Sequence, residues 1–201
     1  MSCYKKPRLR MCRRLGELPG LSRKTSSKQY PPGEHSTQAR KLSEYGIRLE
    51  EKQKLRFNYG ISEKQLLKYV QTAKKVSKPT GHVLLQLLEM RLDNTVFRLG
   101  MAPTIPAAKQ LINHKHILVN NKTVSICSYQ CRPGNIIKIR NKLSSIQLAQ
   151  KYLSYPNLLG IPNHLELDKQ KLYGYVKAIV EQKWLSLELN ELLVVEYYSK
   201  K

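Results

Sequence analysis

The stretch Arg91-Leu92-Asp93-Asn94-Thr95-Val96-Phe97-Arg98-Leu99-Gly100 runs through Met101-Ala102-Pro103-Thr104-Ile105-Pro106-Ala107-Ala108-Lys109-Gln110-Leu111-Ile112 into Asn113-His114-Lys115-His116-Ile117-Leu118-Val119-Asn120-Asn121-Lys122-Thr123-Val124. Its hydrophobic period changes once. Asp93 is placed as an N-cap for a short helix over Asn94–Leu99, with Gly100 as its stop. Thr104 can cap a second helix, Pro106 is allowed in its first turn, and Ala107, Ala108, Leu111 and Ile112 form its apolar face. From His116 the apolar residues take strand spacing. Asn120-Asn121 sits between two short strands, and Asn tolerates the positive φ of a type I′ turn. Pro133-Gly134 then turns the chain into a strand over Ile136–Arg140. Two helices followed by an antiparallel sheet make this block a small α/β unit.

Helical spacing continues on the N-terminal side. Ile47 to Phe57 reads as a helix that Gly60 can end. Ser62-Glu63-Lys64-Gln65 matches a capping box, and Leu66, Leu67, Val70, Ala73 and Val76 follow at helical spacing. Pro79 closes that helix, and Thr80 opens the next through Val83, Leu84, Leu87 and Leu88. Residues 1–43 hold few apolar side chains and contain Tyr30-Pro31-Pro32-Gly33. They read as an extended basic arm that orders on a partner. On the C-terminal side a helix is expected around Ser145–Leu153, loops at Pro156, Gly160 and Pro162, a helix over Lys177–Lys183 and a strand over Leu192–Tyr198. The expected fold class is α+β. A basic arm (1–43) leads into helical segments (44–90) and then into the α/β block.

Charge narrows the function classes. Lys and Arg number 36 against 14 Asp and Glu, a net charge of +22. Folding needs no such excess, and self-repulsion opposes it, so a polyanion is implied: RNA, DNA or an anionic membrane. The surplus is concentrated, since residues 91–140 carry 8 basic residues and 1 acidic one. No apolar run approaches the roughly 18 residues of a membrane span, and the start has no apolar core of a secretory signal. Its Arg-rich, acid-poor character also fits a transit peptide, but Pro7, Pro19 and Gly20 break up any long amphipathic helix. Cys3, Cys12, Cys127 and Cys131 lack zinc-finger spacing, so free thiols and no metal are expected. A Gly-rich phosphate loop, a nucleophile elbow and paired catalytic motifs are all missing, so neither a cofactor nor catalysis is expected.

Several motifs add a resemblance. Arg91-Leu92-Asp93-Asn94, Phe97-Arg98-Leu99-Gly100, Ala108-Lys109-Gln110-Leu111-Ile112, His114 through Asn120, and Ser128-Tyr129-Gln130 resemble the small RNA-binding module named after small-subunit ribosomal protein four. That module also occurs in pseudouridine synthases and a tyrosyl-tRNA synthetase tail, so by itself it implies only RNA. The flanks extend the likeness. Arg8-Leu9-Arg10, Arg13-Arg14-Leu15-Gly16, Leu18-Pro19-Gly20-Leu21, Arg48 through Arg56, and Asn190 through Ser199 are similar to the small-subunit ribosomal protein four family in its plastid form. Residues 22–43 and 141–175 match least. The resemblance implies a helical domain (44–90, completed by 165–201) interrupted by an inserted α/β module (91–164), and a structural constituent of the small subunit in plastids (chloroplast stroma, on the ribosome). It implies early, direct binding to small-subunit rRNA at a multi-helix junction, a part in translational accuracy, contact with small-subunit proteins five and three, and a place near mRNA. Many bacterial relatives hold zinc with four N-terminal cysteines. Here Cys12 falls at one such position and Leu9 at another, so zinc is not carried over. Lys41 is retained among the basic positions near the mRNA channel, while Gln38 is neutral.

The candidate RNA-binding residues are Arg8, Arg10, Arg13, Arg14, Arg48, Lys52, Lys54, Arg56, Arg91, Arg98, Lys109, His114, Lys115 and Lys122, with Lys41 as the mRNA candidate. Cations suit phosphate because recognition of folded RNA runs through backbone and shape. The bland alternative is a solvated basic face, but 8 cations against 1 acid is far from mixed surface charge. Arg91, Arg98, Lys109 and Lys115 are expected to be largely exposed, and Leu92, Leu99, Leu111, Ile117 and Val119 to form the module's core. Asp93 reads as a helix cap rather than a catalytic acid, since no second acid or base is placed to work with it. His114 and His116 would face opposite ways in a strand, which favours RNA stacking or plain surface over a metal pair. Tyr197 and Tyr198 read as core and edge residues, Trp184 as core, and Cys127 and Cys131 as buried thiols. Two rivals share the module. An RNA-modifying enzyme would need a separate catalytic domain, for which residues 141–201 are too short. A stress-type RNA-binding protein is usually little more than the module, and the flanks here argue against it.

Overall fold

The computed structural model describes residues 7–28, 30–33, 42–155, 160–180 and 189–199; Lys41, Trp184 and Cys3 lie outside them. The chain forms two compact units, residues 1–85 with 187–201 and residues 86–186.

The first unit is helical. α1 (Arg8–Leu15) is followed by a turn that buries Leu18 and Leu21 beside Leu15, packed with Met11, Cys12 and Phe57. The N–H of Gly20 donates to Asn58 Oδ1 at 2.9 Å. Residues 8–21 are therefore not an extended arm. Three leucines spaced along a short turn are enough to dock it, although the surrounding composition is polar. α2 (Glu44–Asn58) begins at Ser43, whose hydroxyl accepts from the Gly46 N–H at 3.1 Å. α3 (Glu63–Lys74) begins at Ser62, which accepts from the Gln65 N–H. α4 (Thr80–Glu89) follows, with residues 86–89 counted in the second unit.

The C-terminal segment corrects the expected strand over Leu192–Tyr198: it is a helix, α8 (Glu191–Ser199), packed on α2. A Val- and Tyr-rich run suits a strand only where a neighbouring strand can pair with it. Here Val194 and Tyr197 are buried one helical turn apart, while Leu192 is 66 % exposed. Polar anchors fix the helix. Glu196 accepts from Arg48 Nε at 2.7 Å, and the Tyr198 hydroxyl donates to Glu63 at 2.7 Å.

The second unit is the α/β module. α5 (Leu92–Arg98) and α6 (Ile105–Asn113) precede β1 (Ile117–Val119), β2 (Lys122–Thr123) and β3 (Ile136–Ile139). After α7 (Leu143–Leu153) come β4 (Leu165–Asp168) and β5 (Tyr173–Val176). The sheet is antiparallel in the order β2-β1-β3-β5-β4. Asn120 and Asn121 have φ of 49° and 64°, as the type I′ reading requires. The hairpin β4–β5 was not anticipated. Because β5 pairs with β3, residues 165–176 belong to this sheet rather than to the helical domain, and residues 177–180 are not helical. Gly174 permits the pairing, since a Cβ there would run into the Leu99 side chain.

The N-terminus of α5 also departs from expectation. The helix starts one residue before Asp93, with Arg91 as N-cap and no side-chain cap. Backbone carbonyls do the capping: the N–H groups of Leu92 and Asp93 donate to Tyr129 and Cys127 at 2.9 and 3.2 Å. α6 is capped by Thr104, as its sequence predicts. It ends in a Schellman arrangement, with the His116 N–H on Leu111 O at 3.0 Å and the Lys115 N–H on Ile112 O at 2.9 Å. Lys115 takes the left-handed position, φ 60°, usually held by Gly. The expected core residues Leu92, Leu99, Leu111, Ile117 and Val119 are all buried.

Candidate nucleic-acid interface

The module's cations fall into two sets. Arg91 and Arg98 are 2 % and 3 % exposed, so the expectation that they lie on the surface is wrong. Arg91 donates through Nε and Nη2 to the two oxygens of Asp93, at 3.0 and 2.7 Å. Lys109 Nζ lies 3.6 Å from the same carboxylate, with its side chain 17 % exposed. Burial holds the Lys109 ammonium below its ordinary pKa, and Asp93 only partly offsets that. Arg98 Nε is 3.7 Å from Glu89 Oε2, and the Asn94 amide donates to the same oxygen at 2.6 Å. Asp93 also accepts the Asn94 N–H at 2.9 Å, so it organises the helix start without being its N-cap. Guanidinium groups this deeply buried reach no phosphate while the module is folded.

His164, also buried, completes the Glu89–Arg98 cluster. Burial pushes its imidazole down to about 4, Arg98 adds to this, and Glu89 opposes it. The unfolded chain takes up this proton near pH 6.5, whereas the folded chain holds the ring neutral until about 4. The group's contribution to stability is therefore complete above pH 6.5 and is lost as the pH falls toward 4. The loss is expected to be on the order of 3 kcal/mol. Urea unfolding of the parent and of His164→Gln at pH 7 and pH 4.5 checks this, and an equal acid loss in both proteins would refute it.

The second set is exposed: His114, Lys115 and Lys122 among the candidates, joined by Arg132, Arg140 and Lys142. Lys138 is half-buried and donates to Asn121 Oδ1 at 3.3 Å. The last four were not among the candidates. Strand alternation carries the signal for two of them, because Ile137 and Ile139 point inward, which turns Lys138 and Arg140 the other way. Acids of the module are placed differently. Glu89 and Asp93 are buried, and the exposed or half-exposed described acids are Glu166 and Asp168, both on the edge strand β4. Cys127 and Cys131 are buried thiols, and burial pushes Cys131 up to about 11.

In the helical unit the candidates of α2 face carboxylates. Arg48 meets Glu196 and Glu44, and Lys54 meets Glu51 at 2.6 Å. Lys52, 4 % exposed, meets both oxygens of Glu63 at 3.0 Å and lies 4.6 Å from the Tyr197 ring centre. Arg56 lies 3.9 Å from the same carboxylate. Burial would raise the pKa of Glu63, but the bonds from Tyr198 and Lys52 hold it below the ordinary carboxylate range. Arg48, Lys52 and Arg56 tie α2 to α8 and α3, Lys54 pairs within α2, and Lys52 is too buried to serve as a surface contact. On α1, Arg8, Arg10 and Arg14 are exposed. Arg13 instead donates to the carbonyls of Tyr30 and Pro31 at 3.0 and 3.2 Å and sits over the Tyr30 ring. Among the described residues, no group of three or more His, Cys, Asp or Glu side chains is placed to hold a metal, and no helix is long and apolar enough to cross a membrane.

Comparison with known proteins adds the family. Residues 3–89 match the ribosomal protein S4/S9 N-terminal domain, and residues 90–137 match the S4 domain. The small ribosomal subunit protein uS4c of Porphyra purpurea is 64 % identical over 201 residues, covering all of both chains. The chain belongs to the uS4 family. The uS4c of Gracilaria tenuistipitata var. liui is 64 % identical over the same span, and the uS4 of Nostoc punctiforme is 62 % identical over 200 residues, 99 % of its length. The likeness covers the weakly matching segments 22–43 and 141–175 as well. These uS4 relatives are ribosomal proteins rather than enzymes. Within the uS4 frame, the S4-domain match ends inside β3, so the β4–β5 hairpin extends the sheet beyond that domain.

Proposed function

We propose that this protein is a structural constituent of the small ribosomal subunit in plastids and binds small-subunit rRNA directly through the exposed cations of its module and of α1. One observation carries this reading. The cations at 115, 122, 132, 140 and 142 are exposed while both acids of residues 86–140 are buried. The module's positive potential therefore faces outward, which suits a phosphate backbone. Full-length likeness to small-subunit proteins, including the uS4c of Porphyra purpurea, supports the ribosomal and plastid setting. Within that setting the reading extends to early assembly at a multi-helix rRNA junction and a part in accuracy. It also extends to contacts with small-subunit proteins five and three, and to mRNA through Lys41.

Filter binding to small-subunit rRNA across a salt series tests the core of this. Phosphate neutralisation releases counterions, so the logarithm of affinity falls linearly with the logarithm of salt, with a slope of magnitude about 3 or more. A slope near zero would refute backbone binding.

A further inference from the structure

We propose that His116, Arg140 and Lys142, with His114 beside them, form a binding site for an RNA backbone phosphate, and that occupying it is accompanied by uptake of a proton. The proposal rests on the RNA-binding reading and deepens it by naming a site that the charge pattern of the sequence did not single out.

Three elements build this surface. His116 leads into β1, Arg140 follows β3, and Lys142 is the N-cap of α7. The Arg140 N–H donates to His116 O at 2.8 Å, which ties the first two segments. His116 Nδ1 is 2.8 Å from the hydroxyl of Ser145, a residue 2 % exposed in the first turn of α7. The N–H groups of Ser145 and Ile146 donate to Lys142 O at 2.9 and 3.0 Å. Backbone and ring are thus fixed before any ligand arrives. Arg140 and Lys142 are exposed, His116 is half-buried, and the His114 ring centre lies 6.1 Å from that of His116.

The chemistry follows from Ser145. A serine hydroxyl both donates and accepts. It can donate to Nδ1 of the neutral ring, leaving the proton on Nε2 to meet a phosphate oxygen. It can equally accept from Nδ1–H of the imidazolium. The bond that orients the ring therefore survives protonation. The charged and titratable groups around His116 are His114 from its own segment, Arg140 from the end of β3 and Lys142 from the start of α7. Burial, and then these three groups, hold the imidazole below its ordinary value in the free protein. A phosphate among them adds negative charge and screens the cations, which raises the imidazole toward and above that value. A base whose pKa is higher in the complex than in the free protein binds more tightly as the pH falls through the bound value, and loses that advantage above it.

Affinity of the full chain for small-subunit rRNA at pH 6, 7 and 8, at fixed salt, tests this. The parent is expected to bind about five-fold more tightly at pH 6 than at pH 8, less than the hundredfold ceiling of one full proton over this range. His116→Gln keeps a partner for Ser145 but cannot take up a proton. It is expected to bind more weakly than the parent near pH 8, where the Nε2–H contact is lost, and to show little further gain between pH 8 and pH 6. Arg140→Gln with Lys142→Gln is expected to weaken binding at every pH and to reduce the salt slope by about 1 to 2. Thermal unfolding of each variant separates binding loss from misfolding. Imidazole titration by NMR, with rRNA and separately with inorganic phosphate, separates the two sources of the anion. The proposal fails if His116→Gln keeps the parent's pH dependence, or if the Arg140/Lys142 variant binds with the parent's salt slope. A rise in the imidazole pKa that inorganic phosphate produces in full overturns the assignment to RNA. A parent that binds no rRNA at all removes the functional reading itself.

Discussion

Replacing Asp93 by alanine is expected to lower the stability of the S4-type module by about 3–5 kcal/mol. Asp93 is 1 % exposed and is the anion between two cations, Arg91 bonded through two nitrogens and Lys109 at 3.6 Å. Its removal takes from the Arg91 guanidinium, itself 2 % exposed, the carboxylate it meets through two nitrogens in a low-dielectric interior. An arginine cannot relieve that penalty by losing its proton. Lys109 suffers less, because its side chain is 17 % exposed and can move toward water. The variant also loses the oxygen that accepts the Asn94 N–H at the start of α5. Urea unfolding of parent and variant reads the difference. Adding Arg91→Met to Asp93→Ala should restore part of the loss, since most of it comes from an uncompensated charge rather than from missing contacts. A loss under 1 kcal/mol for Asp93→Ala alone would show that Arg91 finds another partner.

Leu111→Ala should cost roughly 2–5 kcal/mol by a different route, the cavity it leaves. Leu111 lies on the buried face of α6 and is 5 % exposed, in a core that includes Leu92, Leu99 and Ile112. Its carbonyl accepts the His116 N–H that closes the helix at the turn presenting His114 and Lys115. A second variant, Lys115→Glu with Lys122→Glu, is the counterpart. Both residues are exposed, so stability should shift by no more than about 0.5 kcal/mol per site while rRNA binding weakens. Thermal unfolding and filter binding on the two variants separate folding from recognition. Normal rRNA affinity in the double Glu variant would remove these residues from the interface. Arg98 is unsuitable for such a pair, because a glutamate there would lie buried beside Glu89.

The sequence is legible where the structural determinant is local. Thr104 and Ser62 cap their helices because a hydroxyl reaches an N–H three residues on, with no help from elsewhere. Asn120-Asn121 turns the hairpin because both residues accept positive φ. Of the apolar face expected from Ala107, Ala108, Leu111 and Ile112, the last three are buried and Ala107 is half-buried. By contrast, Leu192–Tyr198 looks like a strand by composition, and residues 8–21 look too polar to pack. The first segment becomes a helix because α2 supplies its partner surface, and the second docks because Phe57 and Asn58 receive it.

By itself, then, the sequence determined the α+β class, the main helices, the hairpin, the module's core and the polyanionic character of the partner. Each of these depends on neighbours along the chain or on total charge. The tertiary structure alone decided which cations are surface and which are core. Arg91, Arg98, Lys52 and Lys115 are alike as letters, and their difference lies in whether folding places a carboxylate beside them. Glu89 reaches Arg98, Glu63 reaches Lys52 and Asp93 reaches Arg91 and Lys109, whereas the described structure gives Lys115 a place in solvent. The same logic brought β5 beside β3 and assembled His116, Arg140 and Lys142 from three separate segments. Coulomb attraction and desolvation act through space, so a count of charges along the chain gives their sign and number but not their partners.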